Sequence, residues 1–197
     1  MHHNGNLNVD EMTGGYGIYV NGDGLVIENN TVTHNGALPS GGGGGGIEGY
    51  GMINTLIRSN ECSFNFGNGI LIEDSVATVA EYNTANSNDC RAPDGTWFAA
   101  ALWLDGGHHV TVRRNRFDHN LGPGIEISDE ESAAPYAYEV SSNNANSNYW
   151  GIYLWGFTRP AAEPINITGN TLSDNSGGAM RIEDLAASPE DLNIHIE

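Results

Sequence analysis

The polar positions of this chain repeat as regularly as its apolar ones. Asparagine recurs six times in the frame N-x-Φ-x-x-N. The first asparagine is Asn30, Asn60, Asn83, Asn115, Asn143 or Asn170, and the second is Asn35, Asn65, Asn88, Asn120, Asn148 or Asn175. Two places after the first asparagine the residue is always apolar: Val32, Cys62, Ala85, Phe117, Ala145, Leu172. Between these copies lies a second frame, a small residue followed by apolar, x, apolar. Its apolar positions are Ile18/Val20, Ile47/Gly49, Ile70/Ile72, Leu102/Leu104, Ile125/Ile127, Ile152/Leu154 and Met180/Ile182. A third frame precedes each first asparagine, with apolar pairs such as Leu25/Ile27, Val110/Val112, Tyr138/Val140 and Ile165/Ile167, weaker at Thr55/Ile57 and Thr78/Ala80. Period-two alternation over about five residues predicts a short strand with one buried face. Each repeat therefore reads as three short strands separated by turns.

Successive copies of the second frame are 29, 23, 32, 23, 27 and 28 residues apart. A minimum length with variable insertions suits solenoid coils whose loops project outward. No segment carries the 3.6 period of helical repeats, and the leucine-rich pattern is missing. Stacked coils put equivalent residues about 4.8 Å apart. Each column then becomes a ladder: Ile and Val inside, Asn bonding to the coil above and below, and Gly expected at the positive-φ corners.

On these repeated frames the chain resembles the right-handed parallel β-helix superfamily, the pectate-lyase-like fold, over residues 17–184. The resemblance implies an all-β solenoid of about seven coils with three short strands each. It also implies a superfamily of polysaccharide lyases, polygalacturonases, epimerases and phage tailspikes, and an extracellular or cell-surface setting. The Asp-Pro-His-Asp signature of the epimerases and the Asp-Asp pair and Gly-His-Gly of the polygalacturonases do not occur. Only the fold and the habitual use of the groove carry over.

Composition narrows the partners. The 197 residues carry a formal net charge of −18, with no lysine and seven arginines. So lopsided an acidic surface argues against nucleic acid or an anionic membrane face. No apolar run reaches about 18 residues, and Met1-His2-His3-Asn4-Gly5 opens no visible signal peptide. Two cysteines, Cys62 and Cys90, make no disulfide framework. The closing strand-like Leu192–Glu197 has no asparagine turn after it. That suggests either a fragment of a longer β-helix or open ends that support self-association.

Candidate chemistry sits on the outward positions of the second frame. One column is Tyr19, Glu48, Leu71, Trp103, Glu126, Tyr153, Arg181; the other is Asn21, Tyr50, Glu73, Asp105, Ser128, Trp155, Glu183. Carboxylates interleaved with aromatics suit a polysaccharide or oligosaccharide groove, because aromatic faces stack on sugar rings. Glu73, Asp105 and Glu126 are the catalytic candidates; Glu48, Tyr50, Trp103, Tyr153, Trp155 and Arg181 are the substrate-binding ones. Glu73 beside Asp105 suits a retaining glycosidase, and Glu73 or Glu48 across coils to Glu126 an inverting one. The Glu73–Asp105 pair could instead hold Ca²⁺, with Asp74 or Asp129 joining from the turn. Arg181 is a candidate lyase base or the partner of Glu183. His108 and His109 follow at a turn, and His34 and His119 share a column three coils apart. Glu28, Arg58, Glu81 and Arg113 read as a salt-bridge ladder. The insertions, including Gly41–Gly46 and the stretch with Cys90, Pro93 and Trp97, should wall the groove. The reading is a polysaccharide hydrolase or lyase, against a non-catalytic glycan-binding or structural segment.

Overall fold

The computed structural model describes residues 15–36, 44–89, 99–130 and 136–197. The strands lie in two parallel sheets of seven. The first sheet holds β1 (Ile18–Val20), β3 (Ile47–Tyr50), β5 (Ile70–Glu73), β7 (Leu102–Asp105), β9 (Ile125–Ser128), β11 (Trp150–Trp155) and β13 (Gly178–Glu183), side by side in that order. The second holds β2 (Val26–Glu28), β4 (Leu56–Arg58), β6 (Val79–Glu81), β8 (Thr111–Arg113), β10 (Tyr138–Ser141), β12 (Ile165–Thr168) and β14 (Ile194–Ile196). The second-frame residues build the first sheet and the third-frame residues the second. The third strand of each coil shrinks to a single bridge: Thr31, Glu61, Thr84, Arg116, Asn144 and Thr171 pair in series. Its neighbours are taken up by asparagine turns, leaving no length for a ladder. Leu192–Glu197 contributes β14, which pairs with β12.

The apolar columns close the interior. Ile47, Ile70, Leu102, Ile125 and Ile152 are fully buried, as are Ile57, Val112 and Phe117. Gly49 breaks the inner column, and Met52 fills its gap: a Cβ there would lie 2.2 Å from the Met52 methyl group. Met52 itself is fully buried, a thioether filling the missing rung. The small residue before each first-sheet strand is needed because coils touch there. A Cβ on Gly46 would stand 2.3 Å from the Gly69 carbonyl oxygen.

The asparagines form two continuous ladders. Asn115 shows the pattern. Its Nδ2 donates to Ala80 O (2.9 Å) and to Asn143 Oδ1 (3.0 Å), and its Oδ1 accepts from Asn83 N (2.8 Å) and Asn83 Nδ2 (3.0 Å). The second ladder repeats this through Asn65, Asn88, Asn120 and Asn148. Buried turn groups that water cannot reach are thus satisfied by side chains.

The corners correct one expectation. Glycine makes only some of them: Gly51, Gly106 and Gly156 turn with positive φ after first-sheet strands and Gly169 before Asn170, whereas Asn29, Ser59, Tyr82, Arg114 and Ser142 precede the other first asparagines with φ of 53–57°, and His34, Phe64, Ser87, His119, Ser147 and Asp174 precede the second. A left-handed residue costs roughly 1–2 kcal/mol. The asparagine that follows each one makes up to four hydrogen bonds, which hold the turn against that cost. On the outer face, Glu28–Arg58 (2.6 Å) forms the expected exposed ion pair, and Glu81–Arg113 (2.8 Å) a half-buried one.

Candidate active site

The register of the first sheet places the outward residues as columns. Tyr19, Glu48, Leu71, Trp103, Glu126, Tyr153 and Arg181 are successive partners. Tyr50, Glu73, Asp105, Ser128, Trp155 and Glu183 are the others. This face divides into two parts with different chemistry.

The first part is a pocket of about 220 Å³ over β3, β5 and β7. Glu48, Glu73 and Asp105 project into it from the strands, with Leu71 and Trp103 between them. Gly44, Ala99 and Glu130 complete the wall together with Gly67 and Asn68. Gly44, Ala99 and Glu130 adjoin segments 37–43, 90–98 and 131–135, so the insertions do flank the pocket at their described ends. The interior of each insertion, including Gly41–Gly43, Cys90, Pro93 and Trp97, lies outside the described residues.

Asp105 is tightly oriented. Trp103 Nε1 donates to Ser128 Oγ (2.8 Å), Ser128 Oγ donates to Asp105 Oδ1 (2.7 Å), and Glu130 N reaches the same oxygen at 3.3 Å. Burial raises the Asp105 carboxyl above its usual range, and the Ser128 and Glu130 hydrogen bonds hold the rise back. Glu48 is pushed up to about 7, first by burial; the Tyr16 hydroxyl, which donates to it, opposes the rise, and the charge of Glu73 adds to it. Tyr16 is in turn pushed up to about 12 by burial and by Glu48. The pocket thus joins an acid that is about half-protonated at neutrality to three further carboxylates, Glu73, Asp105 and Glu130.

The second part, over β9, β11 and β13, is closed by its own hydrogen bonds. Glu126 stands in register between Trp103 and Tyr153 and is 3% exposed. Trp155 Nε1 donates to its Oε1 at 2.8 Å, while Oε2 is buried without a hydrogen-bond partner. Burial pushes Glu126 up to about 8; the Trp155 bond opposes this, and Asp105, Glu130 and Asp89 add to it. Tyr153 Oη donates to Glu183. Arg181 holds the other Glu183 oxygen through Nε (2.8 Å) and Nη2 (2.6 Å). These contacts keep the Glu183 carboxyl below its usual range, the Tyr153 bond first.

The structure therefore brings Glu48, Glu73, Asp105 and Trp103 together at one concavity. Tyr50 stands exposed in register with Glu73. Glu126 does not line the pocket, and Tyr153, Trp155 and Arg181 belong to the closed cluster. His108 and His109 touch each other (Nδ1 to Nδ1, 2.8 Å), and His109 approaches Glu163 at 3.4 Å, away from the pocket lining. Sequence reasoning missed Tyr16 and Glu130. Neither lies in a repeated column: Tyr16 precedes the first coil's strand, and Glu130 sits in an insertion.

Ca²⁺ takes six to eight oxygens at 2.3–2.6 Å. Among the described residues no three or more His, Cys, Asp or Glu side chains converge closely enough to hold a metal. Glu73 and Asp105 are register partners, but neither Asp74 nor Asp129 completes a cage with them. Asp129 instead accepts from the Tyr136 hydroxyl.

A family model described as the right-handed beta helix region matches residues 4–163. No curated protein and no solved structure matches the chain. With two seven-stranded parallel sheets stacked coil on coil and the family match covering most of its length, the chain belongs to the right-handed beta helix family.

Proposed function

We propose that the chain is a polysaccharide-degrading glycoside hydrolase whose reaction centre is the pocket over β3, β5 and β7. The observation that carries this reading is the grouping of Glu48, Glu73 and Asp105 beside Trp103 in one concavity, with the Glu48 carboxyl pushed up to about 7. Glu48 donates its proton to the glycosidic oxygen, and Glu73 draws one from the attacking water. Glu48 and Glu73 stand on neighbouring strands and two residues apart along them. Strand spacing and rise put their Cα atoms roughly 8 Å apart, offset along as well as across the strands, so a water between the two side chains, as an inverting reaction uses, is the reading we adopt. Trp103 offers the sugar a face, and its indole N–H, through Ser128, fixes Asp105. Arg181 is engaged by Glu183 outside this pocket, so the hydrolase reading is favoured over the lyase one. A polymeric substrate accords with an extracellular or cell-surface setting. The edges of β13 and β14 offer surfaces for self-association, testable by sedimentation across a concentration range.

The test is turnover of a panel of neutral glycans, with product configuration read by proton NMR. Glu48→Gln and Glu73→Gln should each abolish release of reducing ends, and the first product should be the inverted anomer. Full turnover by both amide variants would sink the assignment. Glycan binding without any product would reassign the same face to a non-catalytic binding module.

A further inference from the structure

We propose that the outer face of the second sheet, over β2, β4, β6 and β8, is the contact surface of a two-fold dimer between copies of this chain. It stands independently of the hydrolase reading, whose pocket lies on the first sheet.

Three columns cross this face. Asp23, Ile53, Val76 and His108 pair in series. So do Val26, Leu56, Val79 and Thr111, and then Glu28, Arg58, Glu81 and Arg113. The middle of the face is apolar and open to solvent: Val26 is 60% and Ile53 43% exposed, and Leu56, Val76 and Val79 are half-buried. A contiguous apolar patch with a charged rim marks a contact surface. The face is also level. Stretches 21–25, 51–55, 74–78 and 106–110, which lead into these four strands, have one length, whereas 129–137 and 156–164, which lead into β10 and β12, are longer.

The order of the residues selects a second copy as the partner. A two-fold axis along the strand direction, passing between β4 and β6, reverses the order of the coils and keeps the columns. Ile53 then faces the partner's Val76, and Leu56 the partner's Val79. Arg58 faces the partner's Glu81, Glu28 the partner's Arg113, and Asp23 the partner's His108. The apolar centre meets itself, and every charge of the ladder meets its opposite. Moving the axis onto β6 would set Arg58 against the partner's Arg113 and Glu81 against the partner's Glu81, so charge fixes the register. The four ladder charges cancel on a chain whose net charge is −18, so two copies can meet here without local repulsion. An isologous contact of this kind closes at two copies. Four coils at about 4.8 Å and five residues at about 3.3 Å give a face of roughly 19 Å by 17 Å. That is smaller than the roughly 800 Å² per partner of a tight complex, so the dimer is a weak, reversible one.

The experiment is sedimentation equilibrium of the full chain at neutral pH, between about 10 µM and about 1 mM. The samples are the parent, Leu56→Glu, Arg58→Glu, Glu81→Arg, and an equimolar mixture of the last two. The parent should follow a monomer–dimer equilibrium with no larger species. Leu56→Glu puts a charge in the apolar centre and should weaken the dimer at least roughly tenfold. Arg58→Glu and Glu81→Arg each oppose like charges twice across the axis and should weaken it by a similar factor. Their mixture should regain the parent's dimer, because each variant chain then meets its complement. That recovery is specific to the proposed axis, and it also shows that both variants are folded. A parent that stays monomeric throughout overturns the proposal. Growth beyond two copies, or association that Leu56→Glu leaves intact, overturns it too and assigns the contact to the edges of β13 and β14. A mixture no more dimeric than its separate components overturns it as well.

Discussion

Replacing Glu126 by Gln should make the protein more stable at neutral pH, and increasingly so as pH rises. Glu126 is 3% exposed, and burial raises its carboxyl from 4.5 to about 8. In the unfolded chain the group ionises near its ordinary value. Between that value and about 8 the unfolded state loses a proton that the folded state keeps, so folding loses stability as pH increases. Below 4.5 both states are protonated and the penalty is absent; above about 8 it is complete. Neutral pH lies about 2.5 units above the ordinary value, and each unit is worth about 1.4 kcal/mol, so the penalty there is about 3 kcal/mol. Gln is neutral and nearly isosteric. Its Oε1 can keep the 2.8 Å bond from Trp155, and its amide group, like the acid's O–H, meets a site with no partner on the other side. The assay is urea unfolding of both proteins at several pH values between 4 and 8, compared at matched m. The difference in unfolding free energy should grow by about 3 kcal/mol from the acid to the neutral end. A difference that stays flat across this range would refute the argument, since a carboxyl ionised in the folded state cannot produce the slope. A variant less stable than the parent at neutral pH would refute it as well.

Other outcomes follow from the same structure. Asn115→Ala removes four hydrogen bonds of a buried ladder, made to the two neighbouring coils; it should cost about 3–5 kcal/mol by urea unfolding, and Asn115→Asp, which sets an oxygen against the Ala80 and Asn143 acceptors, should not restore it. Gly46→Ala places a methyl group 2.3 Å from the Gly69 carbonyl, so the coils must part and the thermal midpoint should fall by several degrees. Arg58→Ala should change stability by under about 1 kcal/mol, because its pair with Glu28 is solvent-exposed. If Glu48 is the acid, glycan turnover should decline as pH rises through about 7, and Glu48→Gln should lose roughly 10²–10⁴-fold. A rate unaffected across that range would place the proton donor elsewhere.

Why the fold was readable and the site only half so is clear from particular residues. Asn115, Asn120, Ile125 and Ile127 occupy positions whose environment is copied in every coil. A solenoid repeats its local physics, so the repeat in the sequence carries the coils, the columns and their register. The same columns delivered Glu48, Glu73, Asp105 and Trp103 as outward neighbours. Departures from the repeat were harder to read. Gly49 is a missing rung in the frame, and only the packed interior shows that Met52 fills it. Glycine was expected at the positive-φ corners and holds some of them, such as Gly51, Gly106 and Gly169, but at most turns before an asparagine the ladder holds serine, tyrosine or histidine instead.

The amino-acid sequence by itself determined the stack: which residues face in, which face out, and which pairs are neighbours. Tertiary structure alone decided what those outward neighbours do. Glu73 and Glu126 look equivalent as letters in adjoining columns. One lines an open pocket; the other is sealed under Trp155 with an unpaired oxygen and a pKa near 8. The difference comes from what surrounds each once the coils are stacked. Trp155 bonds Glu126, and burial with the charges of Asp105, Glu130 and Asp89 raises its proton affinity, while around the pocket Tyr16 donates to Glu48 and Ser128 links Trp103 to Asp105. Proton affinity is set by burial and by atoms within a few ångströms, and those distances exist only once the coils are stacked.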